Sequence, residues 1–486
     1  MDDAPKVPEG AALAAAVGAP EAARYEQDLS RSIGILGNVF ITLSGVTPAS
    51  SVFIIVPVAL VAAGSGSFLA FVFAAIVGVF MAFCWGELSA AFPIAAGDYA
   101  LVWHSFKGRT SWLAGPVSFV TFALYVDFIA FIPAVIALGT GTYLAVIWNV
   151  NLKVIGAVVM LAAAGIAILN IRLNAVITGF FLAIELAALA VVTVLGIIHA
   201  KNWSSLLHPV VGTAHGGLAS VSFTAVLALT AVAVFSYNGY ANAVNFSEET
   251  TGSSRRIARA ILWALVITVA AELIPLTAVV VGSPSLAKLS TSSVPMQYFI
   301  EATSNKTVYT IVSLGVVIAI LNAVIAIILS YGRIFFSSGR DRAWPGPVNG
   351  WMTLRSQFRS PWFATAIVGV LGAVLCLTVS LNTLVNLTGA SLVADYALIA
   401  IAALFARPTG ATRNSPYKMP LWPLPPILAL VSLGYIFTKQ TSLLLWVTLI
   451  TVGIGLFYWL VVIFPQRGRA WNLREAVFDE AAGEDN

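Results

Sequence analysis

Long apolar runs, separated by short polar loops, dominate the chain. Runs of roughly 20 apolar residues, enough to cross a bilayer as a helix, recur twelve times along the sequence. They lie at about 32–62, 67–91, 112–147, 153–171, 173–199, 220–247, 257–281, 307–335, 361–381, 383–406, 422–438 and 443–464. The pattern predicts an all-α integral membrane protein with twelve transmembrane helices, spans 1 to 12.

Polar and helix-breaking residues interrupt two of these runs, the first and the sixth. Span 1 contains SGVTPASS, Ser44 to Ser51, and span 6 contains SYNGY, Ser236 to Tyr240. Pro48 removes a backbone donor, and Gly239 permits backbone angles that other residues resist. An unsatisfied backbone group is costly in hydrocarbon, so we expect a break only where other groups replace the lost hydrogen bonds. The alternative is that both residues merely kink their helices for packing.

The spacing of the two breaks predicts an internal repeat. They recur at an interval of five spans, and because five is odd the second copy must enter the membrane upside down. This predicts a 5+5 inverted repeat in which helices 1 and 6 are broken. The predicted parts are an N-terminal tail, two five-helix repeats, a pair of further helices and a C-terminal tail, at 1–31, 32–199, 220–406, 422–464 and 465–486.

Composition and charge agree with membrane insertion. Of the residues, 59% are hydrophobic and 9% charged, whereas about one quarter are charged in soluble domains. With twelve spans both termini share one side, which carries 20 of the 25 Lys and Arg residues. Because basic loops remain inside, we expect a multi-pass protein of the cell inner membrane with cytoplasmic termini. This orientation also explains the basic balance without a nucleic-acid partner.

Several function classes lack their motifs. The sequence has no GxxxxGK loop for ATP, no HExxH and no GxSxG, and its two cysteines and four histidines show no metal-ligand spacing. We therefore expect no cofactor, no metal and no enzymatic activity. A channel is disfavoured, because an open pore does not need two broken helices. If the protein transports a solute, the energy would come from a proton or sodium gradient or from exchange of one solute for another.

A broken helix offers both kinds of backbone group to a ligand. The half-helix that begins after a break presents N–H groups and a positive dipole end, and the half-helix that ends there presents carbonyls. Together these groups suit a carboxylate and an ammonium, the two ends of an amino acid.

Four acidic residues fall within spans: Asp127, Glu185, Glu272 and Asp395. A central carboxylate costs about 3 kcal/mol on insertion scales, so each should face protein or water. Asp127 and Asp395 are predicted near the middle of spans 3 and 10, where each would pair with a substrate cation, carry a proton or form a structural hydrogen bond. Asp127, Glu185 and Asp395 are the candidates for proton coupling, although a structural role is preferred for Glu185 and Glu272.

Four stretches in order resemble the amino acid, polyamine and organocation (APC) superfamily of transporters. They are ASSVFIIVP (Ala49 to Pro57), CWGELSAAFPIAAGDYALV (Cys84 to Val102), FSYNGYANAVNFSEETTGSSRR with its continuation (from Phe235), and SYGRIFFSSGRDRAWP (Ser330 to Pro345). The resemblance spans nearly the whole chain. It implies the fold of the bacterial leucine transporter, with substrate held midway across the membrane.

The resemblance also implies roles for individual residues. The backbone of Ala49, Ser50 and Ser51 would face a substrate carboxylate, carbonyls near Val46, Thr47 and Phe235 its amine, and the Phe235 ring would cover the ligand. The full set of candidate substrate-binding residues is Val46, Thr47, Ala49, Ser50, Ser51, Asp127, Phe235, Tyr237, Asn238, Gly239, Asn322 and Asp395.

Some positions depart from the family pattern. Ala49 and Ser51 replace two glycines of the usual turn, and span 5 has no lysine of the kind that replaces sodium in some relatives. Ala241 stands where arginine and polyamine exchangers carry a glutamate, and Asn238, Asn242 and Asn245 are neutral. A neutral amino acid is therefore the preferred substrate, with a cationic amine or polyamine such as putrescine as the alternative.

Charged residues at the inner ends of spans suggest a gate. Glu87 ends span 2, and Glu248 and Glu249 end span 6 close to Arg255, Arg256 and Arg259. Opposite charges on short loops can pair when the inner side is closed, although a solvated surface is the alternative. The predicted gating residues are Phe235, Glu87, Glu249 and Arg255. The sequence as a whole predicts a secondary transporter, a proton-coupled symporter or exchanger of an amino acid.

Overall fold

The computed structural model describes residues 34–94, 96–144, 148, 150–169, 171–250, 254–356, 360–471 and 473, with the side chains of 171–179, 248 and 249 excepted. The predicted N-terminal tail, 1–31, and most of the predicted C-terminal tail lie outside these residues.

The described chain is a bundle of α-helices with one short β-hairpin. The helices are α1 (Ile35–Val46), α2 (Pro48–Ser50), α3 (Val56–Ala63), α4 (Gly66–Ala91), α5 (Asp98–Ser105), α6 (Ser111–Leu144), α7 (Leu152–Ala167), α8 (Ile171–Ile198), α9 (Phe223–Tyr237), α10 (Ser254–Gly282), α11 (Leu286–Thr291), α12 (Pro295–Thr303), α13 (Lys306–Arg340), α14 (Val348–Met352), α15 (Trp362–Thr378), α16 (Leu381–Ala406), α17 (Leu424–Thr438) and α18 (Ser442–Tyr458). A π-helical turn, Ser51–Ile55, joins α2 to α3, and a 3₁₀ segment, Tyr240–Glu249, follows α9. Strands β1 (Val210–Gly212) and β2 (Leu218–Ser220) pair antiparallel between α8 and α9.

Polar side chains define where several of the long helices begin. The side-chain oxygens of Asn151, Ser222, Asn305 and Ser380 accept hydrogen bonds from backbone N–H groups in the first turns of α7, α9, α13 and α16. Such caps satisfy donors that a helix leaves without partners at its start. Each therefore separates an apolar run from the polar loop before it.

Length and hydropathy identify nine helical segments of the described chain that can cross a membrane. Three further apolar helices, α7, α15 and α17, are shorter, with 16, 17 and 15 residues. Large apolar side chains remain exposed on many helices, such as Val431 on α17 at 66% and Trp446 on α18 at 64%. A bundle with an apolar outer surface is typical of a protein surrounded by lipid.

The end of the described chain folds back onto the helical bundle. The indole of Trp471 packs against the rings of Tyr99 and Phe119, with centroids 4.9 Å away in both cases. Its backbone N–H donates to the carbonyl oxygen of Asp341 at 2.9 Å, and its Nε1–H donates to Ser118 Oγ at 2.8 Å. The segment therefore fastens α5, α6 and the end of α13 together.

Candidate functional site

The first break lies between α1 and α2, where the sequence predicts it. Thr47 adopts left-handed backbone angles, φ 55° and ψ 66°, and Pro48 has no N–H to donate. The N–H of Ala49 is directed away from the helix and donates to Glu185 Oε1 on α8 at 2.9 Å. The carbonyls at the end of α1 consequently lose donors that a continuous helix would supply.

The second break follows α9 at Asn238 and Gly239. Asn238 is extended, with φ −60° and ψ 148°, and Gly239 has a φ of 113°, which side-chain-bearing residues rarely adopt. The chain then continues as a 3₁₀ segment. At both places the helical backbone angles are therefore interrupted, and neither helix is simply kinked.

The two breaks meet inside the protein. Ser51 Oγ donates to the carbonyl oxygen of Ser236 at 3.0 Å. A Cβ atom placed on Gly239 would lie 3.2 Å from the Cα of Val46. Gly239 is thus required both by its backbone angle and by the close approach of α1.

A cavity, here called the central cavity, lies where the breaks meet. It is lined by polar residues at the breaks and by aliphatic and aromatic side chains. None of its described lining residues is charged. They are Gly45, Val46, Thr47, Ser51, Ile55, Ile132, Ile136, Phe235, Ser236, Asn238, Gly239, Asn242, Ile327 and Tyr331.

Half of the predicted substrate-binding residues line this cavity. They are Val46, Thr47, Ser51, Phe235, Asn238 and Gly239. Others lie elsewhere: Ala49 N–H contacts Glu185, and Tyr237 packs edge-on against Phe71 with ring centroids 5.4 Å apart. Ser50 and Asn322 are fully buried outside the cavity lining, and neither amide atom of Asn322 has a hydrogen-bond partner.

Two buried glutamates flank the first break. Glu185 holds the N–H of Ala49 through Oε1, while its Oε2 has no hydrogen-bond partner. Glu272, on α10, accepts through Oε2 from the hydroxyl of Ser236 at 2.5 Å, while its Oε1 has no hydrogen-bond partner. Glu185 thus replaces a backbone partner that the first break removes, whereas Glu272 binds a side-chain hydroxyl next to the second break.

A second cavity, here called the acidic cavity, adjoins the central one. It shares Asn238, Asn242 and Tyr331 with the central cavity. Its other lining residues are Trp85, Asp98, Tyr125, Phe128, Ala241, Leu392, Asp395 and Tyr396. Asp395, a predicted site residue, therefore lies beside the central cavity rather than in its wall.

Asp127 faces away from both cavities. Its Oδ2 accepts a hydrogen bond at 2.8 Å from the hydroxyl of Thr451 on α18, and the residue is half-buried. Neither cavity has Asp127 in its lining. The structure thus places this acid at a helix contact and does not bring it to the breaks.

Among the predicted gating residues, Glu87 has a defined partner. Its carboxylate binds Arg407 in a two-pronged ion pair, at 2.8 Å from Nε and 2.7 Å from Nη2. The hydroxyl of Thr412 and the N–H of Met419 also donate to it. Arg255 is exposed and the side chain of Glu249 is outside the described residues, so Glu87 joins α4 to the segment after α16 in this structure.

Sequence reasoning missed Asp98 and Arg407. Asp98 lies between two apolar runs, and its position one residue after Gly97 resembled an ordinary loop residue. In the structure Asp98 is only 3% exposed, so it is a buried carboxyl group and not a solvent-exposed loop residue. An acid in a short apolar segment, GDYALVW, could have signalled a buried carboxyl, whereas the pairing of Arg407 with Glu87 had no local signal.

A lipid-exposed helical bundle with two broken helices that meet over a cavity defines a solute transporter of the membrane. A family model described as "Amino acid permease" matches residues 33–465. The chain therefore belongs to the amino acid permease family, and it is a transporter and not an enzyme.

Curated relatives agree with this assignment at low identity. The chain is 22% identical to the methylthioribose transporter of Bacillus subtilis (strain 168), with 83% of this chain and 88% of the relative covered. It is 18% identical to the branched-chain amino acid permease BcaP of the same organism, with 90% and 93% covered. An uncharacterized transporter of Mycobacterium tuberculosis is 25% identical, with 78% and 80% covered.

Proposed function

We propose that this protein is a secondary transporter that moves a neutral amino acid with an apolar side chain across the cell inner membrane. Transport would occur by alternating access, as proton-coupled symport or exchange. We include in the proposal twelve spans, with α7, α15 and α17 counted among them, and a 5+5 inverted repeat. The even number of spans and the excess of Lys and Arg on one side would place both termini in the cytoplasm. The predicted repeat boundaries, 32–199 and 220–406, go with this topology.

The composition of the central cavity supports this substrate class. Backbone dipoles and neutral polar groups lie at the breaks, and Ile132, Ile136 and Ile327 provide an aliphatic wall. A zwitterion has no net charge and needs no counter-charge from the wall. The isoleucines suit an aliphatic side chain, since burial of apolar area is favourable by about 25 cal/mol per Å².

The breaks supply partners for both ends of such a molecule. The carbonyls at the end of α1 would accept hydrogen bonds from the ammonium. Because Glu185 already holds the N–H of Ala49, we assign the carboxylate to the hydroxyl of Thr47 and the amide of Asn242. Thr47 Oγ1 is buried without a hydrogen-bond partner in the protein, and Phe235 would cover the ligand.

A cationic amine such as putrescine is the second candidate. The observation in its favour is the acid pair, Asp98 and Asp395, in the adjoining acidic cavity. An amine long enough to extend past Asn242 would reach these carboxyl groups. Ala241 and the uncharged wall of the central cavity favour the neutral amino acid.

A thermal-shift screen of purified protein distinguishes the candidates, because a ligand that binds only the folded state raises the melting temperature. The panel contains leucine, isoleucine, valine, methionine, lysine, putrescine and methylthioribose. We expect the aliphatic amino acids to give the largest shifts, followed by saturable uptake and counterflow of the same compounds in proteoliposomes. Shifts with putrescine or methylthioribose alone would refute the proposed substrate class.

Replacement of Thr47 tests the assignment of the carboxylate. We expect Thr47→Ala to weaken leucine binding about tenfold, which corresponds to one lost hydrogen bond to a charged group. Thr47→Ser keeps the hydroxyl and should retain most of the affinity. Thr268→Ala is the matched control, because Thr268 Oγ1 is also buried and unpartnered but lies outside the cavity lining. Equal binding by all three variants would show that Thr47 does not contact the ligand.

A further inference from the structure

The acidic cavity brings together two carboxyl groups from distant parts of the sequence. Asp98 begins α5, and Asp395 lies in the middle of α16. They are 3% and 1% exposed, and their carboxyl groups line the same cavity, close enough to interact with each other. One oxygen of Asp395, Oδ1, has no partner in the protein although its side chain lines the cavity.

A contact of this kind requires a proton. Two ionised carboxylates have only acceptor oxygens and repel each other, whereas one protonated carboxyl can donate to the other. The indole N–H of Trp85 donates to Asp98 Oδ1 at 2.7 Å, which stabilises a single negative charge on the pair. The arrangement therefore holds one proton between two acids.

The described lining of the acidic cavity offers no cation that could replace this proton. Among the described residues that line the acidic cavity there is no Lys, Arg or His. The titratable groups that face the acids are Tyr125 on α6, Tyr331 on α13, Tyr396 on α16 and Tyr240 after α9. All of them are neutral in their ordinary state. Burial raises the pKa of Asp98 above its usual value, in spite of hydrogen bonds from Trp85 and Tyr125.

The pair is also placed where it can respond to the substrate. Asn238, Asn242 and Tyr331 form the wall between the acidic and central cavities. Asn238 belongs to the second break, so a change in that break on substrate binding moves one wall of the acidic cavity. Asp98 lies on the short helix that follows α4, at the end of the bundle that the proposed topology assigns to the cytoplasm.

We propose that the Asp98–Asp395 pair is the binding site of the coupling proton in this transporter. This inference rests on the proposed function and names the proton site within it. In the closed state the two acids share one proton. When the site opens toward the cytoplasm, water accepts that proton: the O–H bond breaks, its electron pair stays on the carboxylate, and hydronium leaves. The resulting dianion is re-protonated from the outer side before the next cycle.

The test uses the full-length protein and the variants Asp98→Asn and Asp395→Asn, reconstituted in proteoliposomes with radiolabelled leucine as the probe. Each variant keeps one carboxyl and replaces the other with an amide that can still donate to it, so folding is expected to be retained. Glu301→Gln is the matched control, since Glu301 lies on α12 and its Oε1 accepts from Gln297 outside both cavities. Counterflow is measured without a gradient, and accumulation is measured with an inward proton gradient.

We expect both variants to keep counterflow but to lose accumulation driven by the gradient. A gradient of about one pH unit supports about tenfold accumulation at one proton per solute, and the variants should show almost none. Wild-type uptake should fall as the pH is raised from about 5 to about 8, and the variants should lose this dependence. If either variant accumulated leucine to the level of the wild-type protein, the inference would be overturned.

Infrared difference spectroscopy of the purified protein provides a readout that does not depend on transport. A shared proton gives a buried carboxylic acid band that disappears at high pH in the wild type, and we expect both variants, which keep a single carboxyl, to change the frequency and the pH dependence of this band. Identical spectra for wild type and variants would overturn the proton site even if leucine is transported. Absence of leucine counterflow in the wild type would instead refute the proposed substrate, while the infrared band would still decide whether the pair holds a proton.

Discussion

Glu185 shows how a single side chain alters the expected chemistry of a broken helix. Its carboxyl group accepts a hydrogen bond from the N–H of Ala49. The resemblance to the superfamily implies that this N–H would face a substrate carboxylate. A carboxyl group of the protein therefore already occupies that end of the break. Because Glu185 is fully buried and Oε2 has no partner, its contact with Ala49 is the main compensation that it receives from the protein.

Substitutions at position 185 separate the capping role from the charge. We expect Glu185→Ala to destabilise the protein by about 1–3 kcal/mol, because the N–H of Ala49 is left buried without an acceptor. Glu185→Gln retains a carbonyl oxygen at the same place and should lose much less. Thermal melting in detergent measures both effects. If the two variants melt together, the hydrogen bond to Ala49 contributes nothing to stability.

The second helix break depends on one glycine. Gly239 combines a φ of 113° with an approach to Val46 so close that a side-chain carbon added to the glycine would lie 3.2 Å from the neighbouring Cα. The backbone of α1 is a rigid neighbour, so the contact cannot be relieved by a change of rotamer. Any residue other than glycine would separate the two broken helices.

Replacement of this glycine should therefore disrupt the site more than the fold. We expect Gly239→Ala to reduce transport at least about tenfold, since a small misplacement of binding groups is sufficient for such a loss. Gly434→Ala, in the middle of α17, is the control: nothing lies within 4 Å of its added carbon, and alanine favours a helix. Uptake by Gly239→Ala equal to that of the control would mean that the breaks need not touch.

The breaks were predictable because their causes are local, but the contacts of the buried acids were not. Pro48 and Gly239 change the backbone at their own positions, whatever surrounds them. The direction in which a carboxyl faces depends on how its helix is rotated and tilted against its neighbours. Asp127 accordingly contacts Thr451 of α18, whereas Asp98, which lies between apolar runs, is part of the acidic cavity.

The ion pair of Glu87 and Arg407 joins segments that are 320 residues apart in the chain. Glu87 is 1% exposed, and the side chain of Arg407 is 26% exposed. The carboxylate also accepts from Thr412 and Met419. Nearly all of its hydrogen-bonding capacity therefore serves to hold the segment after α16 against the end of α4.

Removal of either partner should be costly. We expect Glu87→Ala or Arg407→Ala to destabilise the protein by about 3–5 kcal/mol, as for other buried pairs that lose one member. Arg413→Ala, at an exposed position of the same segment, should have little effect. Melting temperatures and the yield of monodisperse protein report the difference. A change no larger than that of Arg413→Ala would contradict a fastening role for the pair.

The docking of Trp471 decides where this protein tolerates truncation or fusion. A stop codon placed soon after α18 would remove the indole and leave the rings of Tyr99, Phe119 and Phe122 in contact with water. We would then expect the shortened protein to aggregate in detergent, even though the hydropathy of the tail suggests that it is dispensable. Reporter domains and affinity tags belong beyond residue 473, where they do not displace this aromatic anchor.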